Sequence, residues 1–427
     1  MKRVLIITYY WPPTGGSGVQ RWVKFAKYLP AEGWQPVIYT PENPEQLALD
    51  ESLLGDIPAC AEIVKTPIRE PYQIYRRFFG SSGKKGAGVN PLNSQKKSLK
   101  QRLAVWVRGN FFVPDPRVGW VKPSVKFLKE YLREHPVDAV VTTGPPQSVH
   151  LIGLGLKKAL GVRWIADFRD PWTKMFYFKH MGLWPLAERR HRRLERSVLD
   201  GCDAVVSVTP LVRKDFQAMT ATPVHLITNG FDEDDFPAAE PSAPTGKFTV
   251  VHTGLFASDG NPLNLWKVLA ERCKADSGFA DALQIRLAGK VDPEITAAIR
   301  AAGLSGNLVE LGYLPHDETV REQRGASMLI LPLRQDPEYR KVLPGKIFEY
   351  LAARRPVLGI GQEDGAAATV LSDSRAGVML DWDCTDRVGE FISTQWERFL
   401  EGTAAPIDSD ISKYSRRALT RALTQIL

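Results

Sequence analysis

The sequence predicts an α/β protein built of two Rossmann-like domains with parallel sheets. Three observations carry that reading. The chain has 427 residues, and domains usually run to about 100–200 residues, so two cores are expected. Short β-branched runs alternate with helical patterns in both halves, the pattern of α/β units. A polar stretch from Asp232 to Lys247, holding Pro237, Pro241 and Pro244, lacks any periodicity and separates the halves as a linker would.

Taken in order, the first strand is expected at Val4–Thr8, followed by a loop from Tyr9 to Ser17. A helix then spans Val19–Leu29, because Val19, Trp22, Phe25, Ala26 and Leu29 share one face. Gly33 stops it, and Pro36–Tyr39 reads as the second strand. Residues 67–122 break the rhythm and read as an insertion, with a Gly/Ser/Lys-rich, mobile part near Ser81–Ser98. Strands resume at Ala139–Thr142, Trp164–Ala166, Ala204–Val208 and His225–Thr228, with a strongly basic helix over Leu186–Leu199. In the second half, strands are expected at Phe248–His252, Gln284–Ala288, Val309–Gly312, Met328–Leu331, Val357–Ile360 and Val378–Leu380. The resulting division is 1–235 for the first domain, 236–247 for the linker and 248–410 for the second domain. A final helix in 411–427 has no strand after it and is expected to pack back on the first domain.

Composition narrows the function. Hydrophobic residues make up 44% and charged residues 24%, the balance of a soluble globular protein. Cys60, Cys202, Cys273 and Cys384 are scattered, with no ligand-like spacing, so no metal motif is expected and a reducing compartment is. No stretch approaches the roughly 20 apolar residues that span a bilayer, and a cytoplasmic protein is expected. The net charge of +8 suits nucleic acid, anionic lipid or a phosphorylated small molecule. No helix-turn-helix, zinc-finger or RNA-binding signature is present, which argues against nucleic acid.

Three motifs carry chemistry. Trp11-Pro12-Pro13-Thr14-Gly15-Gly16-Ser17-Gly18 lies between the first strand and a helix. Glycines there let a backbone approach a phosphate beside free helix N–H groups, although an ordinary turn has the same composition. It is neither a dinucleotide-binding G-x-G-x-x-G nor a P-loop. Gly345-Lys346-Ile347-Phe348-Glu349 opens a helix with Lys346 and Glu349 on one face. The lysine could meet a phosphate and the glutamate two ribose hydroxyls; equally, the two could form an exposed ion pair. Trp164 to Trp172 ends a strand with Asp167, Arg169 and Asp170, where such folds place binding groups; there too Asp167 could simply pair with Arg169 and Asp170 cap a turn.

In this order the motifs resemble the family 4 glycosyltransferases of the GT-B fold. The resemblance runs from Tyr10-Trp11-Pro12-Pro13 through Thr228-Asn229-Gly230-Phe231-Asp232 to His252-Thr253-Gly254, Leu287-Ala288-Gly289, Leu311-Gly312-Tyr313 and the Lys346–Glu349 helix. It implies two domains facing a central cleft and retaining transfer from a nucleotide-sugar donor, with no obligatory metal and no bound cofactor. It implies that Glu349 holds the donor ribose, that Gly15 and Gly16 lie beside the donor diphosphate and the acceptor, and that Lys346 lies near the phosphates; the residues themselves add Gly254, Lys290 and Gly345 to the donor side and Ser17, Asp167, Arg169 and Asp170 to the acceptor side. Asp170, Lys346 and Glu349 are the expected catalytic residues.

The chain also departs from the family. No Arg or Lys follows Gly254 in Leu255 to Gly260, so Lys346, Lys290, Arg340 or Lys341 must meet the phosphates instead. The second family glutamate is missing, since positions 341 and 342 are Lys and Val. The family's first-domain histidine is replaced by the Asp167–Asp170 segment.

Basic and aromatic residues interleave in the insertion: Arg76, Arg77, Lys84, Lys85, Lys96, Lys97, Lys100, Arg102 and Arg108 with Tyr72, Tyr75, Phe78, Phe79 and Trp106. Together with Arg189, Arg190, Arg192, Arg193 and Arg196 they suit an anionic membrane face and a lipid-linked acceptor; a solvated basic loop is the other reading. Two rival functions remain: a nucleotide-sugar epimerase of the same architecture, and a non-catalytic scaffold.

Overall fold

The computed structural model describes residues 1–45, 49–68, 70, 99–175, 178–236, 246–403 and 410–427. They form two compact units, Met1–Thr228 with Arg416–Leu427, and Asn229–Ser415. The expected linker thus falls inside the second unit, and its residues 237–245 lie outside the described ones.

Unit 1 holds β1 (Lys2–Ile7), β2 (Trp34–Pro41), β3 (Glu62–Thr66), β4 (Ala139–Gly144), β5 (Trp164–Phe168), β6 (Ala204–Ser207) and β7 (Val224–Leu226). They make one parallel sheet in the order β3-β2-β1-β4-β5-β6-β7. Its helices are α1 (Ser17–Tyr28), α2 (Leu99–Phe111), α3 (Val121–Glu134), α4 (Ser148–Leu160), α5 (Pro185–Gly201) and α6 (Pro210–Gln217). Every residue of β4 and β5 is buried, because helices cover both sheet faces. On one face Leu128, Ile152, Val198 and Phe216 of α3, α4, α5 and α6 share a core with Leu5, Val140 and Val205. On the other, Trp22 and Phe25 of α1 pack with Leu419 and Leu423 of the C-terminal helix (Arg416–Thr424).

Two differences from the sequence reading have physical causes. β3 was not expected: its residues alternate half-buried and exposed, and Glu62 and Lys65 mask the apolar signal of an edge strand. The strand expected at His225–Thr228 stops at Leu226, and the Ile227 and Thr228 carbonyls accept hydrogen bonds from Arg21 instead. Of the expected insertion, residues 67, 68, 70 and 99–122 are described; its Ser81–Ser98 part and Tyr72, Tyr75, Arg76, Arg77, Phe78 and Phe79 lie outside the described residues. The insertion ends in regular structure, with Trp120 buried and stacked on Tyr39 at 5.1 Å.

Unit 2 holds β8 (Phe248–Thr253), β9 (Leu283–Ala288), β10 (Leu308–Gly312), β11 (Met328–Pro332), β12 (Val357–Ile360) and β13 (Gly377–Leu380). They form a parallel sheet in the order β10-β9-β8-β11-β12-β13. Its helices are α7 (Leu263–Ala275), α8 (Ser277–Ala282), α9 (Pro293–Ala301), α10 (His316–Arg324), α11 (Lys346–Ala353), α12 (Ala366–Asp373) and α13 (Thr385–Leu400). In both sheets the strand order reverses once, between β1 and β4 and between β8 and β11. Such reversals open a crevice beyond the strands' carboxyl ends, where ligands of doubly wound folds bind.

Candidate functional site

In unit 2, the expected donor residues gather at that reversal. β8, β9 and β10 end in Gly254, Gly289 and Gly312, all at positive φ. A Cβ on Gly289 would stand 2.5 Å from the Gly254 carbonyl oxygen, so two backbones meet where no side chain fits. Lys346 opens α11 and reaches back to this shelf. Its Nζ donates to the Leu255 carbonyl at 3.0 Å and lies 3.2 Å from His252 Nε2.

The histidine's proton can be placed. His252 Nδ1 is 3.2 Å from the Ile330 carbonyl, which can only accept, so Nδ1 carries the hydrogen and Nε2 is free to accept from Lys346. Burial and the nearby ammonium both hold His252 neutral, well below the usual histidine range. Burial also pushes the Lys346 ammonium down, to about 8, with Glu349 opposing.

Glu349 lies one turn further along α11, and it is not an ion-pair partner of Lys346. Its Oε2 accepts from Gln323 Nε2 at 3.0 Å, and that amide also donates to Thr253 Oγ1 at 3.0 Å. Burial raises the Glu349 carboxyl above its usual range; the Gln323 hydrogen bond, His316 and Lys346 pull the other way. The Gly345 and Lys346 amide N–H groups have no hydrogen-bond partner among the described residues. The site therefore offers a cation on neutral acceptors, free helix N–H groups and a carboxylate with no cation bound to it. A cation beside free N–H groups at a helix start suits a phosphate, and the carboxylate suits hydroxyls.

Of the other cations expected near the phosphates, Arg340 pairs with Asp364 at 3.4 Å and Lys341 with Glu338 at 3.1 Å. Lys290 is exposed beside Gly289 and makes no ion pair among the described residues.

In unit 1, the acceptor-side residues separate into two kinds. Asp167 is fully buried and closed. It accepts from Arg21 Nη2 at 2.9 Å, Trp22 Nε1 at 2.7 Å and Thr143 Oγ1 at 2.9 Å. Its partner is thus Arg21 of α1, not Arg169, and its oxygens are taken up inside the core. Arg169 donates to the Gly144 and Pro145 carbonyls and lies against α1. A Cβ on Gly18 would come within 1.6 Å of its Nη1, so any larger residue there would displace the guanidinium.

Asp170 differs from both. It is half-buried, with no hydrogen-bond partner among the described residues; burial raises its carboxyl and Arg169 opposes. Gly15 packs on Asp50, and Gly16, at φ 114°, caps α1. Neither amide N–H of this pair has a hydrogen-bond partner among the described residues. Ser17 opens α1, and its side chain lies outside the described structure.

Arg21, Trp22 and Gln323 were not singled out from sequence. Arg21 and Trp22 sit 146 and 145 residues from Asp167, and Gln323 sits 26 from Glu349. The one local trace of this arrangement is Gly18, just after Gly15-Gly16.

Residues 89–235 match the family described as Glycosyltransferase Family 4. No curated protein matches the chain in sequence. Solved structures similar to it include sucrose-phosphate synthase from Thermosynechococcus elongatus, at 13% identity and a TM-score of 0.61, covering 100% of this chain and 98% of that one. WaaG, a glycosyltransferase involved in lipopolysaccharide biosynthesis, matches at 14% identity and 0.57, over 99% of each chain. A mutant of TarM from S. aureus, in complex with Fondaparinux, alpha-GlcNAc-glycerol and UDP, matches at 11% and 0.58, over 100% and 99%. These comparisons bear out the resemblance read from sequence: the fold is GT-B, and residues 89–235 carry the match to a glycosyltransferase family.

Proposed function

We propose that the chain transfers a sugar, with retention at the anomeric carbon, from a nucleotide-sugar to a glycan or lipid-linked acceptor. The product would be a surface polysaccharide or glycolipid, made in the cytoplasm or at the inner face of an anionic membrane. The carrying observation is the pair Lys346 and Glu349: one turn apart, half-buried, and not neutralising each other.

Breaking the bond between the anomeric carbon and the phosphate oxygen leaves a nucleoside diphosphate with added negative charge. Fixed donors aimed at such charge are usually the largest catalytic contribution. Lys346 and the Gly345 and Lys346 N–H groups fill that role, which is why no obligatory metal is proposed. Glu349 Oε1, without a partner among the described residues, receives the ribose hydroxyls while Gln323 holds Oε2. The Gly15 and Gly16 N–H groups of unit 1, without a partner among the described residues, are of a kind that suits a phosphate. Asp170, with a carboxyl raised by burial, orients or deprotonates the acceptor hydroxyl. The UDP in the TarM complex and WaaG's part in lipopolysaccharide biosynthesis support the donor and product classes by analogy.

Thermal shift against UDP-, GDP-, ADP- and dTDP-sugars tests the donor site, because a ligand that binds only the folded state raises the melting temperature. One nucleotide family is expected to stabilise the protein, and Glu349→Ala to abolish the effect. No stabilisation by any of them at millimolar concentration would instead favour the scaffold. Donor turnover that needs no acceptor would favour the epimerase.

A further inference from the structure

Unit 1 combines exposed aromatic side chains with cations that form no ion pair among the described residues. α2 and the start of α5 meet in a crest where Trp106, Phe111 and Trp184 pack edge to face, with ring centroids 4.9 to 5.8 Å apart. The crest is open to solvent: Phe111 is 60% exposed, Trp184 50% and the adjoining Leu186 77%. Large apolar side chains clustered in this way mark an interaction site rather than ordinary surface.

The cations lie on the helices that continue from the crest. Along α5, Leu186, Arg189, Arg190 and Arg193 follow i, i+3, i+4, i+7 spacing and share its outward face, opposite the buried Ala187, His191, Glu195 and Val198. The helix's own acids do not reach them: Glu188 holds Arg192, Asp200 holds Arg196, and Glu195 bonds Thr173. Along α3, Lys122, Lys126, Lys129 and Arg133 recur at i, i+4, i+7 and i+11 on one face; Glu130 lies at the edge of that face, so the stripe keeps a net positive charge. None of these seven cations forms an ion pair among the described residues. α3 and α5 flank α4 and share its core, so both stripes belong to the same side of the sheet.

We propose that this face seats unit 1 on an anionic lipid bilayer, with the Trp106–Phe111–Trp184 crest entering the interfacial layer and the α3 and α5 cations meeting headgroups. An acidic polymer would satisfy the cations but leave the crest in water; a bilayer interface covers both. The inference deepens the lipid-linked acceptor of the proposed function, yet it stands on this surface whether or not sugar is transferred.

Sedimentation of the full chain with lipid vesicles tests it. Binding is expected to vesicles of phosphatidylcholine mixed with phosphatidylglycerol, not to phosphatidylcholine alone, and to weaken as salt rises. A basic side chain near an anionic surface is worth roughly fivefold in partitioning. Arg189→Gln, Arg190→Gln and Arg193→Gln together should therefore lower it by roughly a hundredfold, while the three matching Lys substitutions retain it. Trp184→Ser with Phe111→Ser should weaken binding even at low salt. Lys267→Gln, Lys274→Gln and Arg321→Gln in unit 2 should leave it unchanged. Nucleotide-induced thermal shifts should survive in every variant, which separates this inference from the donor site. No binding to phosphatidylglycerol vesicles at low salt, or an equal loss in the unit 2 variant, would overturn the proposal.

Discussion

Asp167 in unit 1 and Lys346 with Glu349 in unit 2 are all charged residues at the carboxyl edge of a parallel sheet, yet their surroundings are opposite. Asp167 is locked to Arg21 at 2.9 Å and takes two further hydrogen bonds from Trp22 and Thr143. Lys346 is held by a carbonyl and a neutral histidine, and Glu349 by an amide. The first arrangement completes a core. The second leaves charge in low-dielectric surroundings with no counter-charge bound, which costs native stability unless a ligand supplies what is missing.

The largest expected effect breaks the closed pair. Asp167→Ala leaves Arg21 buried with its main partner gone, and removing one member of a buried ion pair costs about 3–5 kcal/mol. Chemical denaturation should show that loss. Glu349→Gln, by contrast, should leave stability equal or higher, since burial disfavours the carboxylate it replaces. The same change should weaken nucleotide-sugar binding by roughly 1.5–3 kcal/mol, the usual worth of hydrogen bonds to a charged group; titration calorimetry reads it directly.

Gly18→Ala should cost about 1–3 kcal/mol as an overpacked position, because the new methyl meets the Arg169 guanidinium. It should also disturb Asp170, the residue next to Arg169, and so lower acceptor use more than donor binding.

The smallest effect, at most about 1.4 kcal/mol for each pH unit crossed, is one of pH. Lys346 sits near 8 in the folded protein against 10.5 in the unfolded chain. Between those values the native state has released a proton that the unfolded state keeps, so unfolding free energy should rise with pH through that window. Nucleotide-diphosphate affinity should move the other way, falling by up to about tenfold per pH unit above 8 as the ammonium is lost. Both slopes should disappear in Lys346→Met.

Much of the fold was legible because parallel strands buried on both faces read as short apolar runs, as at Val357–Ile360, which the structure reproduces to the residue. β3 was lost because an edge strand with Glu62 and Lys65 carries no such run. The site was legible as a set of residue types and not as a set of roles. Spacing puts Lys346 and Glu349 on one face, but not whether they neutralise each other. That depends on His252, Leu255 and Gln323, which arrive from other elements. Likewise Asp167, Arg169 and Asp170 look alike along the chain. What separates them is Arg21 of α1, which closes Asp167, the Gly144 and Pro145 carbonyls, which engage Arg169, and the lack of any such partner for Asp170 among the described residues.

The central claim is that unit 2 keeps Lys346 uncompensated for the sake of a diphosphate. The most direct measurement is Lys346→Met, assayed for both denaturation midpoint and nucleoside-diphosphate affinity. The account predicts a variant at least as stable as the parent that no longer binds the nucleotide. A destabilised variant, or one that binds as well as the parent, would contradict it.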